Sequence, residues 1–399
     1  MRFLMYSQDG LGLGHLRRAR NIAEEILARR PASNVLILAD SPGAPFFSLL
    51  RGVDYVKLPT VVKVGATDWR PASLSLEVRE ILDFRSRVIL QTFREFAPDV
   101  LLVDHMPVGA LGELKPMLDA IAQAEARPRL FLGLRDVLDA PEVIRAVWTD
   151  LAAYDYLPRY DDVMVYGCRD ILDADAAYGL TPYVRKVTYC NYVVTRPTAP
   201  TASPPAAGSE EPLVLVIGGG GGDAFPLMKA FVEALPVIAR QIRLRALIVT
   251  GPNMPPAQRE ALLARADAYP IEIQGSAEDA IGLLQQATAV VTRAGYNSLC
   301  EVLQWRKKAL VVPRPGPSAE QRIRTRLFAR QRLIRMLDPD ALAPARLAEE
   351  LVALLTDDGM PAEANIPQMD GAQRAAALLI GEPTAESGRS FPLGLAAGG

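Results

Sequence analysis

The chain is poor in cysteine and poorer in histidine. Its three cysteines, Cys168, Cys190 and Cys300, lie far apart with no CxxC spacing. That excludes a cysteine zinc site or a disulfide framework as the organising feature and fits a reducing cytoplasm. Only two histidines occur, His15 and His105. The formal net charge is −2, without the basic excess that non-specific nucleic-acid binding requires. No run of about 18 apolar residues is present, so no membrane-spanning helix is expected. The opening Met1–Tyr6 run is too short for a signal-peptide core and has no cleavage site after it. No cluster of carboxylates suggests a metal site, and no metal or cofactor is expected.

The 399 residues, half of them hydrophobic, suit two domains of ordinary size. Short continuous apolar runs alternate with helical periodicity: residues 2–7, 35–39, 55–58, 100–103, 130–134 and 163–167 read as strands. Continuous apolar strands belong to parallel sheets covered on both faces. A long helix is expected over 74–96. A stretch dense in proline and small residues follows at 196–211 and reads as a linker. The pattern then restarts, with strands at 213–217, 247–251, 271–273, 289–291 and 309–313 and helices at 280–286, 320–332 and 343–356. The fold class is therefore α/β, with two doubly wound domains at 1–195 and 212–366 facing a cleft. A C-terminal helix at 367–381 and a disordered tail at 382–399 complete the chain. Ligands of such sheets bind outside the carboxyl ends of the strands.

The most informative stretch is Val290-Val291-Thr292-Arg293-Ala294-Gly295-Tyr296-Asn297-Ser298-Leu299-Cys300-Glu301. It reads as buried strand, turn at Gly295 and helix start, with Asn297 or Ser298 as the cap. The N–H groups and dipole of a helix start bind phosphate well, and Arg293 adds a full positive charge. Glu301, one turn along, suits a ribose diol, which donates two hydrogen bonds to one carboxylate. The bland alternative is a capped helix with an incidental glutamate. Gly218 to Gly222, including Gly219, Gly220 and Gly221, follow a strand and precede a helix. Their N–H groups can form an anion nest. Without the lysine and hydroxyl of a Walker loop they do not imply nucleotide hydrolysis. The proline-braced loop Arg314 to Gln321 leads into a helix whose first turn holds Glu320 and Gln321, both able to bond sugar hydroxyls.

In the first half, Gly10-Leu11-Gly12-Leu13-Gly14-His15 opens a helix. As a dinucleotide fingerprint it lacks the third glycine at the right place, and Asp40 is a weak candidate for a ribose contact. His15 at the loop mouth is placed as a general base, and Asp104 at a strand end can fix its tautomer. A helix-capping histidine and a capping Asp104 are the alternatives, and His105 competes for the role of base. Pro45-Phe46-Phe47-Ser48-Leu49-Leu50 reads either as a lipid-touching patch or as a helix packed on the sheet.

On the loop with His15, the glycine loop at 218–222, the Arg293–Glu301 stretch and the Pro313–Gln321 loop, the chain resembles glycosyltransferases of the GT-B fold. It is most similar to the family 28 group, which includes the peptidoglycan N-acetylglucosaminyltransferase, and to bacterial glycosyltransferases with a GHxRR loop, here Gly14 to Arg18. The resemblance implies a UDP-sugar donor in the C-terminal domain, with UDP-N-acetylglucosamine the leading guess. Asn297 and Ser298 would then face the diphosphate, Glu301 the ribose, and Gln321 with Glu320 the transferred sugar. His15 would lie near the acceptor, with Gly12, Gly14 and Arg17 on the same loop. The His–Asp pair resembles that of plant-type inverting glycosyltransferases.

The expected activity is an inverting, metal-independent sugar transfer in the cytoplasm, with peripheral contact to the inner face of a membrane left open. The GLGHLRR loop also resembles a nucleotide-sugar hydrolase of pseudaminic acid synthesis. A hydrolase, a 2-epimerase or a non-catalytic nucleotide-sugar sensor therefore stay as alternatives. The acceptor and the oligomeric state are open.

Overall fold

The computed structural model describes residues 1–10, 12–44, 50–64, 69–196, 211–266, 269, 271–277 and 279–383. The apolar patch expected at 45–50 lies outside these except for Leu50, as do 197–210 of the linker and 384–399 of the tail. The chain divides into two compact units. The first holds residues 1–10, 15–193 and 368–383; the second holds Gly12–Gly14 and 194–367.

The first unit runs β1 (Arg2–Ser7), α1 (Gly14–Arg29), β2 (Asn34–Ala39), β3 (Val53–Lys57), β4 (Val61–Lys63), β5 (Trp69–Pro71), α2 (Val78–Phe96), β6 (Val100–Asp104), α3 (Lys115–Gln123), β7 (Arg129–Arg135), α4 (Pro141–Asp150), β8 (Asp162–Tyr166), α5 (Ala174–Tyr178) and β9 (Val187–Tyr189). β4 and β5 form a small antiparallel hairpin. The other seven strands make one parallel sheet in the order β3-β2-β1-β6-β7-β8-β9. Every residue of β6 and β8 is buried, as strands covered on both faces must be. Leu4, Leu101, Leu132 and Val163 form one wall of the core, and Ile89, Leu118 and Trp148 pack on it from the helices. The long helix starts at Val78, four residues later than its periodicity suggests. Glu80 there accepts the backbone N–H of Glu77 at 2.9 Å, half of a capping box that fixes the start.

The second unit runs β10 (Leu213–Ile217), α6 (Phe225–Ile238), β11 (Arg245–Val249), α7 (Pro256–Ala266), β12 (Ile271–Gln274), α8 (Ala280–Gln286), β13 (Ala289–Thr292), α9 (Tyr296–Gln304), β14 (Lys308–Val311), α10 (Glu320–Arg330), β15 (Arg335–Met336) and α11 (Pro344–Thr356). Its six strands are parallel in the order β12-β11-β10-β13-β14-β15. Val216, Ile248, Val291 and Leu310 meet Phe231 and Leu351 of the covering helices.

The last helix, α12 (Gly371–Ile380), belongs to the first unit. Asn191 Nδ2 donates to Gln368 Oε1 at 3.0 Å and Asp370 Oδ1 at 2.7 Å, and the N–H of Gly371 donates to the Tyr192 carbonyl at 3.0 Å. A Cβ on Gly371 would fall 2.6 Å from the Tyr192 backbone, so glycine is what lets the two segments meet. No described helix is long and apolar enough to cross a membrane.

Both sheets follow the Rossmann order, in which the strand sequence reverses direction at one point. In the first unit that point lies between β1 and β6, in the second between β10 and β13. Register pairs Tyr6 with Val103 and Ile217 with Thr292 there. The loops leaving those four strands carry most of the residues singled out from the sequence.

Candidate functional site

In the first unit β1 ends at Ser7 and β6 at Asp104. His15 is the second residue of α1, and its Nδ1 lies 2.8 Å from Asp104 Oδ2. Arg18, one turn along the same helix face, donates from Nη2 to the same oxygen at 2.6 Å and stands 2.8 Å from His15 Nδ1. A carboxylate oxygen has only lone pairs to offer. At 2.8 Å the stable arrangement is a proton on Nδ1 donated to Asp104, which leaves Nε2 as the basic atom. Burial pushes the Asp104 carboxyl up, but Arg18 and His15 together hold it below the usual carboxylate range. Arg18 also lies over the Tyr166 ring at 5.0 Å.

His105 is the neighbour of this pair, its ring centroid 5.0 Å from that of His15. It follows β6 with φ 77°, a left-handed backbone that non-glycine residues seldom adopt. Burial, then Arg135 and His15, lower its pKa well below the ordinary histidine value, so it is neutral near pH 7. Its Nε2 faces the cation Arg135 at 3.5 Å. Among the described residues the two histidines thus differ in what they face: the Asp104 carboxylate together with the Arg18 guanidinium for His15, the Arg135 guanidinium for His105.

The start of α1 is not an open anion site. Asp9 turns its carboxylate onto the helix, accepting the N–H of His15 at 2.7 Å and of Leu16 at 2.8 Å. Asp40, the weak ribose candidate, is wholly buried; its Oδ1 accepts the N–H of Asp9 at 2.7 Å and of Gly10 at 3.1 Å. Both acidic groups are committed to the loop itself, which corrects the dinucleotide reading of this turn. Of the two arginines in the loop, Arg18 enters the His15–Asp104 cluster. Arg17, the one expected on the acceptor side, points roughly 200° round the helix from His15 at about 100° per residue. Gly12 is exposed and Gly14 partly so.

In the second unit the helix after β13 begins with Gly295 as its cap, which provides no side-chain hydrogen bond. Asn297 and Ser298 are therefore in the first turn and not at the cap, a correction of the expected boundary. Without a capping side chain the first-turn N–H groups keep the polarity that attracts an anion. Glu301 lies four residues beyond Asn297 and three beyond Ser298, so the three share one face of α9. The glycine loop lies against the same helix start: at Gly219, with φ 60°, an added Cβ would have Ser298 Oγ as its nearest neighbour at 3.9 Å. Gly221 is glycine for another reason. With φ 93°, its Cβ would sit 2.3 Å from the Thr250 carbonyl, so close packing of two loops requires it. Gly220 faces Asn253.

Three second-unit residues are placed differently from expectation. Arg293 is buried and donates from Nη1 to the carbonyls of Val312 and Pro313, each at 3.2 Å, and from Nη2 to that of Asp223 at 2.9 Å. It braces the end of the glycine loop against the chain leaving β14, and burial lowers its pKa, with Arg314 adding to the effect. Gln321 accepts at Oε1 from the N–H of Ala294 at 3.2 Å and of Arg314 at 3.1 Å. It ties two strand-end turns together, leaving only its amide nitrogen for a ligand. Glu320 is buried, its Oε1 accepting from Arg324 Nη1 at 2.7 Å. Arg324 in turn donates to the Ala294 carbonyl at 3.3 Å and lies over Tyr296 at 5.5 Å. Sequence reasoning missed Asp9, Arg18 and Arg324. The spacings from His15 to Arg18 and from Glu320 to Arg324, three and four residues on a helix, were the available signals for two of them.

Among the described residues no group of three or more His, Cys, Asp or Glu could hold a metal ion, and none of the three cysteines is in a disulfide.

Two parallel sheets in Rossmann order, each with loops gathered at its switch point, are the two Rossmann-like units of the GT-B fold. Residues 213–379 match the glycosyltransferase family 28 C-terminal domain, and the protein as a whole resembles that family. The MurG of Acinetobacter baumannii is similar across 96% of this chain and 100% of its own, at 18% identity and a TM-score of 0.61. UGT89C1 of Arabidopsis thaliana, solved with UDP, is similar across 95% and 98%, at 14% identity and 0.63. A Listeria monocytogenes protein described as a UDP-N-acetylglucosamine 2-epimerase is similar across 95% and 94%, at 13% and 0.63. At these identities the likeness is one of fold. No curated protein matches the chain by sequence.

Proposed function

We propose that this glycosyltransferase transfers a sugar from a UDP-sugar to an acceptor hydroxyl with inversion, without a metal, and with His15 as general base. The observation that carries the reading is the contact of His15 Nδ1 with Asp104 Oδ2 at 2.8 Å, at the switch point of the first sheet. Asp104 fixes the His15 ring through Nδ1 and leaves Nε2 for the acceptor proton, whereas Nε2 of His105 faces the Arg135 guanidinium. Nε2 of His15 takes the acceptor proton, the acceptor oxygen attacks the anomeric carbon, and the sugar–phosphate bond breaks with UDP leaving. The uncapped start of α9, with Asn297 and Ser298 in its first turn, stabilises the charge that develops on the leaving diphosphate. Glu301 receives the ribose hydroxyls, and the amide nitrogen of Gln321 is the group offered to the sugar, which is N-acetylglucosamine in this reading.

The enzyme works in the cytoplasm. Exposed Val64, Leu74, Leu76 and Phe84, close together in sequence, support peripheral contact with the membrane face.

A thermal-shift screen of nucleotide sugars tests the donor, since a bound donor stabilises the fold by mass action. UDP-N-acetylglucosamine and UDP should raise Tm, and turnover should survive excess EDTA. Loss of turnover on chelation, restored by magnesium or manganese, overturns the metal-independent mechanism. An epimer, or free sugar released without an acceptor as fast as sugar is transferred with one, would point to the epimerase or hydrolase reading.

A further inference from the structure

We infer that Asp9 is a positioning residue for His15: a resident carboxylate occupies the start of α1 and sets where the base stands. The inference rests on the reading of His15 as the base. A helix start leaves its first N–H groups without partners, and in a Rossmann unit a ligand's phosphate commonly takes them. Here Asp9, five residues before α1, takes them with one oxygen each, Oδ1 from His15 at 2.7 Å and Oδ2 from Leu16 at 2.8 Å. Ser7 Oγ donates to the same Oδ2 at 3.0 Å, so the carboxylate is fixed from the β1 side as well.

The hold continues inward. Asp40 Oδ1 gathers the N–H groups of Asp9 and Gly10, and its Oδ2 faces Arg85 Nη1 at 3.4 Å. Arg85 is wholly buried and anchored on Glu113 Oε1 at 2.8 Å, the Tyr6 hydroxyl at 3.2 Å and the Pro59 carbonyl at 2.6 Å. A ladder of hydrogen bonds therefore runs from the middle of α2 to the backbone nitrogen of the base. Two turn-forming segments, 7–10 and 40, are tied to the helix carrying His15 with no contact to its imidazole. An ordinary capping side chain sits next to its helix and fixes only the local backbone. This one spans the loop, so the position of His15 depends on residues from three other elements. It also means that a substrate phosphate cannot use the α1 start while Asp9 is in place.

The test uses the full chain with Asp9→Ala, Asp9→Asn and His15→Ala. The readouts are UDP release from UDP-N-acetylglucosamine with water as acceptor, UDP affinity by calorimetry, and the histidine ring spectrum by NMR. With only two histidines in the chain, His105→Ala assigns both signals. Asp9→Ala should release UDP about 10- to 100-fold more slowly, the cost of a misplaced group remote from the chemistry, with UDP affinity unchanged and the His15 signals shifted. Formate, filling the vacated space, should restore the rate saturably in Asp9→Ala and do nothing for wild type or His15→Ala. Asp9→Asn, which keeps one acceptor oxygen, should fall between; it carries the test where Asp9→Ala does not fold. Wild-type rate and wild-type His15 signals in the folded Asp9 variants overturn the inference. Full activity in His15→Ala instead overturns the base assignment on which it rests. Where wild type itself releases no UDP, the His15 signals alone decide, and unshifted signals in the Asp9 variants overturn it.

Discussion

Glu320 spends its carboxylate on Arg324, one turn along α10, and both side chains are buried. Because Arg324 also holds the Ala294 carbonyl, the pair supports the turn that precedes α9. Arg324→Ala should cost about 3–5 kcal/mol, since it leaves a buried carboxylate without its partner. Chemical denaturation measures the loss. Glu320→Gln should weaken UDP and UDP-sugar binding by the same factor, because its effect passes through the turn. A loss confined to the UDP-sugar would mean that Glu320 touches the sugar after all.

His15→Ala should lower turnover by about 10²–10⁴-fold, the usual worth of general acid–base catalysis, and leave UDP affinity nearly intact. Asp104→Asn should give a smaller loss, and the double variant should be little worse than His15→Ala, because residues acting as a unit are not additive. His105→Ala is the comparison. If it abolishes turnover while His15→Ala does not, the base is misassigned.

Glu301→Ala should weaken UDP binding by at most about 1.5–3 kcal/mol for each ribose hydrogen bond to a charged acceptor. Glu301→Gln should be milder, as an amide oxygen still accepts. Calorimetry that finds wild-type UDP affinity in a folded Glu301→Ala protein would remove this residue from the donor site.

Two buried carboxylates should give opposite slopes of stability against pH. Arg18 and His15 hold Asp104 below its unfolded value of about 3.9 despite its burial. Its contribution is present above that value and lost as pH falls through the folded one. Burial pushes Asp40 up to about 6. Its contribution is full below the unfolded value near 3.9 and is lost as pH rises towards 6. Relative to Asp104→Asn, wild type should therefore lose its advantage below about pH 4. Relative to Asp40→Asn, it should lose stability between about pH 4 and 6. Denaturation curves that run parallel in either window would refute that attribution.

The strands were readable because a parallel sheet covered on both faces leaves continuous apolar runs such as Val100–Val103. The switch-point loops were readable for a related reason, as glycines and charged residues interrupt those runs at strand ends. Which polar side chain faces a ligand was not readable. Arg293 and Gln321 are spent on backbone groups of strand ends that pairing brings close, and Asp40 on a loop 30 residues earlier. Asp9 escaped notice because a cap five residues outside its helix has no local sequence pattern; the capping rules look only at the adjoining turn.

The return of the chain to the first unit has a practical meaning for anyone dividing this protein. A fragment ending at residue 193 would lose α12, and with it the carbonyls of Leu378 and Leu379 that receive the Arg129 guanidinium. It would also lose Gln368 and Asp370, leaving the Asn191 amide without those acceptors. The first unit is discontinuous in sequence, so an excised or exchanged version must carry the 368–383 segment, spliced on through a short linker or supplied as a separate peptide. Chimaeras that swap the second unit should be cut at two junctions, one near 194 and one near 367, and not at one.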